Sequence, residues 1–255
     1  MLDKLLKYEI KATSRTFLPL YGAIIIMSIV NRALMVTDFL IPQVISSIIL
    51  GVLFVSLFAF TIVILVQRFQ RNLLQSEGYL MFTIPVKPNS LILSKMIVFF
   101  MWGVLSIICG IISVFILAGN QLELKRILSD LLTVLSRMNI DEYSFALEVI
   151  VLLIIEVAIG ILMVYASLSI GQVFNKNKTL ISFGIFIGIF TLIQIFVSVV
   201  VKAFNFFNLE ETLMQTGDIK EIQIITLIAI LINALIAAAL FYVTNYMLTK
   251  KLNLE

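Results

Sequence analysis

Uncharged apolar stretches recur along the chain at lengths that match a lipid bilayer. The longest, 39–67, runs 29 residues without a charged side chain. An α-helix rises about 1.5 Å per residue, so roughly 20 residues cross a hydrocarbon layer of about 30 Å. Similar runs lie at 16–31, 96–122, 149–175, 179–201 and 222–249, and the only charge in any of them is Glu156. The runs are continuous rather than alternating, which predicts helices and argues against the strands of a barrel. Helices satisfy their own backbone hydrogen bonds, which lipid cannot do for them. The pattern predicts an all-α integral membrane protein, a single transmembrane domain over 1–255. Its six transmembrane helices are expected at about 16–36, 39–67, 91–119, 148–173, 179–201 and 222–249.

The segments between the runs are amphipathic or polar. In 2–15, Leu2, Leu5, Leu6 and Ile10 recur at helical spacing, while Lys4, Lys7, Lys11 and Arg15 fall on the other side. This predicts an N-terminal interfacial amphipathic helix that meets anionic lipid with its basic face. Glu9 falls within the apolar arc and weakens that pattern. The segment 123–147 carries Leu124, Ile127, Leu128, Leu131, Leu132, Leu135 and Met138 at helical spacing, interrupted by charges. It predicts an outer amphipathic helix. The segment 202–221 is acidic and too polar to span.

Charge sets the expected orientation. If residues 2–15 are cytoplasmic, the inner segments hold 12 of the 18 Lys and Arg residues and the outer segments six. That bias predicts a multi-pass protein of the cell (plasma) membrane with both termini cytoplasmic. Composition agrees: 61% of residues are hydrophobic and 13% charged, against about 25% charged in soluble domains. The chain has no histidine, which removes the commonest general base and metal ligand. Its one cysteine, Cys109, can form no internal disulfide. No nucleic-acid partner is expected.

The inner loop 68–90 is unusually apolar for a segment facing water. It contains Tyr79, Leu80, Met81, Phe82 and Ile84, each worth about 1.5–3 kcal/mol when covered rather than exposed. Those side chains are expected to pack on lipid, on neighbouring helices or on a partner protein. Gly78 permits a helix break, and Pro85 and Pro88 interrupt helix on the far side. Asn89 or Ser90 can cap the following helix.

This loop reads Glu77, Gly78, Tyr79, Leu80, Met81, Phe82, Thr83, Ile84, Pro85, Val86 and runs into Leu91, Ile92, Leu93, Ser94, Lys95. The second inner loop reads Ser169, Ile170, Gly171, Gln172, Val173, Phe174, Asn175, Lys176. With the basic amphipathic helix and two spans ahead of them, these segments resemble the permease subunits of type-2 ATP-binding cassette (ABC) exporters, in the bacterial branch with a separate ATPase subunit. The resemblance implies a dimer with a second permease copy or paralogue, and a cytosolic coupling helix between spans two and three that docks on a cytosolic ABC ATPase subunit. Carried over, the coupling residues are Gln75, Glu77, Gly78, Tyr79, Leu80, Phe82, Thr83 and Pro85. Phe174, Asn175, Lys176 and Lys178 make a secondary contact. The implied function is outward movement of an amphipathic or hydrophobic solute, peptide or lipid. The chain itself is expected to be no enzyme and to bind no cofactor, with ATP and Mg on the partner. No glycine is followed by lysine, so the phosphate-cradling G-x-x-x-x-G-K-[ST] loop is missing from the sequence.

Glu156 is the polar candidate inside the membrane. A carboxylate at mid-bilayer costs roughly 2.5–3.5 kcal/mol, so it is expected to face the bundle or water. It supports two other readings: an ion-coupled secondary transporter using Glu156, or a non-transporting immunity or sensor protein. Gly184 and Gly188 form a GxxxG pair that permits close helix approach. Gln194, Asn233 and Asn245 are expected to form interhelical hydrogen bonds.

Overall fold

The structure is a computed structural model that describes residues 2–37, 40–74, 88–119, 124–174, 176–206 and 219–250. Among these residues the chain forms seven α-helices: α1 (Leu2–Val36), α2 (Leu40–Phe69), α3 (Pro88–Ala118), α4 (Leu124–Arg137), α5 (Ile140–Gly171), α6 (Lys178–Phe206) and α7 (Ile219–Lys250). A π-helical turn, Gln70–Leu74, continues α2. All but α4 are long and apolar enough to cross a membrane. The chain is therefore an all-α membrane protein with six candidate spans.

Several boundaries differ from the sequence expectation. Residues 2–15 are not a separate element but the first four turns of α1, a helix of 35 residues and about 52 Å. The reason is packing, because Glu9 and Thr13 are buried on the same face as Phe17 and Tyr21. The outer segment 123–147 divides into α4 and the first two turns of α5. The helix that carries the fourth candidate span thus begins at Ile140, and Asn139 N–H donates to Glu142 Oε2 at 2.9 Å across its start. Pro88 is already the first residue of α3, where its missing N–H would have had no helical acceptor.

The chain divides into two compact units. One comprises Met1–Arg68 and Asn89–Arg137, the other Phe69–Pro88 and Met138–Glu255. In the first unit, Glu9, Thr13, Phe17, Tyr21, Ile24, Ser28 and Asn31 form the buried stripe of α1, at spacings of three and four. On α3 the buried residues include Lys95, Val98, Phe99, Trp102, Cys109 and Ser113. Hydrogen bonds and ion pairs join residues about 85 positions apart: Glu9 to Lys95, Tyr21 to Ser106, Ser28 to Ser113 and Arg32 to Leu117. Both numbers rise together, so α1 and α3 run parallel. Asn31 Nδ2 donates to Ser47 Oγ at 3.0 Å and ties in α2. At the far end Arg32 Nη1 donates to the Leu117 carbonyl at 3.5 Å. Gly119 has φ +52°, and a Cβ there would collide with the Arg32 guanidinium. A cation beside the last carbonyls of α3 also opposes that helix's dipole.

In the second unit α5 packs against both α6 and α7. Gln223 Nε2 donates to the Asp141 carbonyl and to Ser144 Oγ, each at 2.6 Å. Lys220 Nζ lies 3.6 Å from Asp141 Oδ2. The first turns of α5 and α7 are therefore side by side. At its other end α5 turns into α6 through residues 172–177, with Asn177 at φ 53°, a conformation Asn tolerates better than most residues. Gly171 makes this turn possible, because a Cβ at this position would overlap Ser182 and the Lys178 carbonyl. Replacing Gly171 with Ala is expected to cost about 1–3 kcal/mol by overpacking, measured by thermal unfolding of the detergent-solubilised protein. Adding Ser182→Gly should recover part of the loss.

Candidate functional site

Among the described residues the strongest concentration of buried charge lies where α1, α2 and α3 meet. Glu9, two turns into α1, accepts from Lys95 Nζ at 2.6 Å through Oε1. Its second oxygen, Oε2, faces Arg68 Nη1 of α2 at 4.0 Å. The Lys95 side chain is 3% exposed and that of Glu9 10%, whereas Arg68 is 27% exposed. A charge so deeply buried is tolerated only when paired. One carboxylate thus holds the beginning of α3 and the end of α2 to α1.

A chain of polar contacts continues along the same seam. Thr13 Oγ1 donates to the Glu9 carbonyl at 2.8 Å and accepts from Trp102 Nε1 at 2.7 Å. The Phe17 ring stacks on Trp102, with centroids 4.7 Å apart and planes 11° from parallel. The Tyr21 hydroxyl lies 2.9 Å from Ser106 Oγ and 3.1 Å from the Trp102 carbonyl. Ser28 and Ser113 then share a hydrogen bond in the buried interior. Lipid tails are as apolar as leucine, so helices in a membrane associate through packing and hydrogen bonds of this kind.

The first-loop residues Gln75, Glu77, Gly78, Tyr79, Leu80, Phe82, Thr83 and Pro85 lie outside the described residues. On their chain-preceding side, Leu73 and Leu74 of the π-helical turn are buried, and on the following side so are Leu91 and Ile92 of α3. Phe69, just before the turn, stacks on the fully buried Tyr165 of α5 at 4.1 Å. Of the second-loop residues, Phe174 and Lys176 are exposed and Lys178 is half-buried, while Asn175 lies outside the described residues. The structure thus locates the flanks of the first loop and most of the second.

Glu156 is the seventeenth of the 32 residues of α5, at mid-helix. It does not face the interior of the second unit, however. It is exposed, beside exposed Leu153, Ile154 and Val157. The buried face of α5 instead carries Ile159, Leu162, Tyr165 and Ala166. Among the described residues nothing lies within 4 Å of where a Cβ would stand on Gly184 or Gly188. Gln194 is exposed, and Asn233 and Asn245 are half-buried.

Sequence reasoning missed three residues here. Glu9 was expected only to disturb an apolar arc, and Lys95 only to contribute to inner positive charge. Their partnership needs two helices brought together from 86 positions apart. A usable signal did exist, since Glu9, Thr13, Tyr21, Ser28 and Asn31 share one helical face that runs on into the first span. Glu148, expected as the first residue of the fourth span, lies two turns into α5, and among the described residues its buried Oε2 has no hydrogen-bond partner. Among the described residues no group of three or more His, Cys, Asp or Glu side chains is placed to hold a metal.

Comparison with protein-family models, curated proteins and solved structures gives no match to this chain.

Removing one member of the Glu9–Lys95 pair is expected to cost about 3–5 kcal/mol, because the other charge stays buried. Glu9→Leu and Lys95→Met should each lower the unfolding midpoint sharply, and the double substitution should recover most of the loss. Trp102, the single tryptophan, reports this seam directly by its fluorescence. Thr13→Val leaves its indole N–H without its acceptor and should cost about 1–3 kcal/mol, measured by fluorescence-detected unfolding.

Proposed function

We propose that the chain is the membrane-spanning permease subunit of an ABC exporter, moving an amphipathic or hydrophobic solute, peptide or lipid outward. A separate cytosolic subunit supplies ATP hydrolysis. The observation that carries this reading is the apolar 77–86 segment between α2 and α3, together with the bracing of its flanks. Arg68 at the end of α2 and Lys95 near the start of α3 both face the Glu9 carboxylate. A force applied to the loop by a docked partner then reaches α1, α2 and α3 together rather than being absorbed by a loose connection. Tyr79, Leu80 and Phe82 supply the apolar contact, with Gln75, Glu77, Gly78, Thr83 and Pro85 shaping it. Phe174 and Lys176 are exposed for a second contact.

A second subunit belongs to the same reading. A carboxyl group facing lipid near the bilayer centre costs roughly 2.5–3.5 kcal/mol. Glu156 is exposed at the middle of α5, and another permease subunit seated on that face removes the cost.

The test is purification of the tagged chain from native membranes, followed by an ATPase assay. The expected outcome is a stoichiometric nucleotide-binding partner that is lost when Tyr79 and Phe82 are changed to Asp, with membrane insertion unaffected. A chain that elutes alone without ATP hydrolysis refutes the proposal and points to ion coupling through Glu156 or to plain ligand binding. A complex that survives both substitutions refutes the coupling assignment alone.

A further inference from the structure

One face of α1 changes character abruptly along its length. Lys4, Lys7, Lys11 and Arg15 are all exposed, and their spacings of three, four and four place them on one side of the helix. The same side continues through Leu18, Ile26 and Ile29, which are exposed and apolar. The opposite side is the seam already described, from Glu9 and Thr13 to Ser28 and Asn31. Glu9 is committed to Lys95 and Arg68 across that seam, so its charge does not offset the basic stripe. Among the described residues none of the four cations makes an ion pair with a carboxylate.

A basic stripe in line with a lipid-facing apolar stripe fits one kind of surroundings. The apolar part belongs in hydrocarbon, so the boundary with the headgroups falls between Leu18 and Arg15. From Leu18, Arg15 is about 4.5 Å along the axis and Lys11 about 10 Å, at 1.5 Å per residue. A headgroup layer is about 5–8 Å deep on each side of the hydrocarbon. Arg15 therefore lies within it and Lys11 at its outer edge, within reach of a long flexible side chain. Lys7 and Lys4, at about 16 and 21 Å, lie beyond it unless the helix tilts.

We propose that Lys11 and Arg15, one turn apart on the exposed face of α1, bind the headgroups of anionic phospholipids, with Lys7 and Lys4 as an outer, weaker extension. Arg15 pairs with the lipid phosphate as a planar two-pronged donor, and Lys11 adds a point charge. Phospholipid is favoured over an acidic protein because this face is continuous with the lipid-facing side of the same helix. The inference does not depend on the exporter reading, since it concerns the chain alone in a bilayer.

The experiment reconstitutes the purified full chain in nanodiscs of phosphatidylcholine alone, or of phosphatidylcholine mixed with phosphatidylglycerol. Thermal unfolding is followed through Trp102. The mixed lipid is expected to raise the midpoint by about 4–8 °C for two charges at the surface, and added salt should shrink that rise. K11Q/R15Q should lose most of the rise while unfolding like the unmodified chain in phosphatidylcholine alone. K4Q/K7Q should keep most of it. The readout is the difference between lipids, so a variant of lower overall stability is still informative. Equal midpoints in the two lipids overturn the proposal, as does a rise that survives K11Q/R15Q. If that pair of substitutions instead releases a bound acidic protein and leaves the lipid response intact, the face belongs to a protein partner and the proposal fails.

Discussion

The Glu9 carboxylate, held between Lys95 and Arg68, is the constraint on which the first unit rests. Three helices from distant parts of the chain meet at one acid, and each of its oxygens faces a different base. In water such a pair would contribute little. Buried, it carries a large penalty for any arrangement that separates the charges. It therefore sets which residue of α3 stands beside which residue of α1. The contacts above it, Thr13 with Trp102, Tyr21 with Ser106 and Ser28 with Ser113, are compatible with that single register.

This matters more in a bilayer than it would in a soluble bundle. Apolar side chains gain little by leaving lipid for a helix interface, so they specify register weakly. Hydroxyl, indole and amide groups have few alternatives there and do specify it. The two units use different means to the same end. In the first, a polar seam aligns two parallel helices along their length. In the second, polar contacts join the first turns of α5 and α7, and a glycine lets α6 begin hard against the end of α5. Stacking of Phe69 on Tyr165 gives that unit a buried aromatic centre.

The six apolar helices were legible because lipid imposes a simple demand: about 20 apolar residues in a row with no broken backbone bonds. The ends of helices were less legible, since nothing in an apolar count says where a helix stops once it leaves the membrane. Residues 2–15 are continuous with the helix of the first span because Glu9 and Thr13 found partners on α3. Residues 140–147 are continuous with the helix of the fourth because the Asn139–Glu142 contact starts a helix there. Glu156 lies at mid-helix because α5 begins well ahead of the apolar run, and its orientation was not legible, because the face of α5 that turns inward depends on what packs against it.

The sequence by itself determined the class of protein, the number of candidate spans and the asymmetry of charge between their ends. Each of these follows from local composition acting against a uniform solvent, so no knowledge of neighbours is needed. Only the tertiary structure decided that Glu9 belongs with Lys95 and that α1 and α3 are bonded in parallel. Those outcomes depend on pairings between residues some 85 positions apart. A pairing energy of that kind belongs to two segments jointly and cannot be read from either one alone.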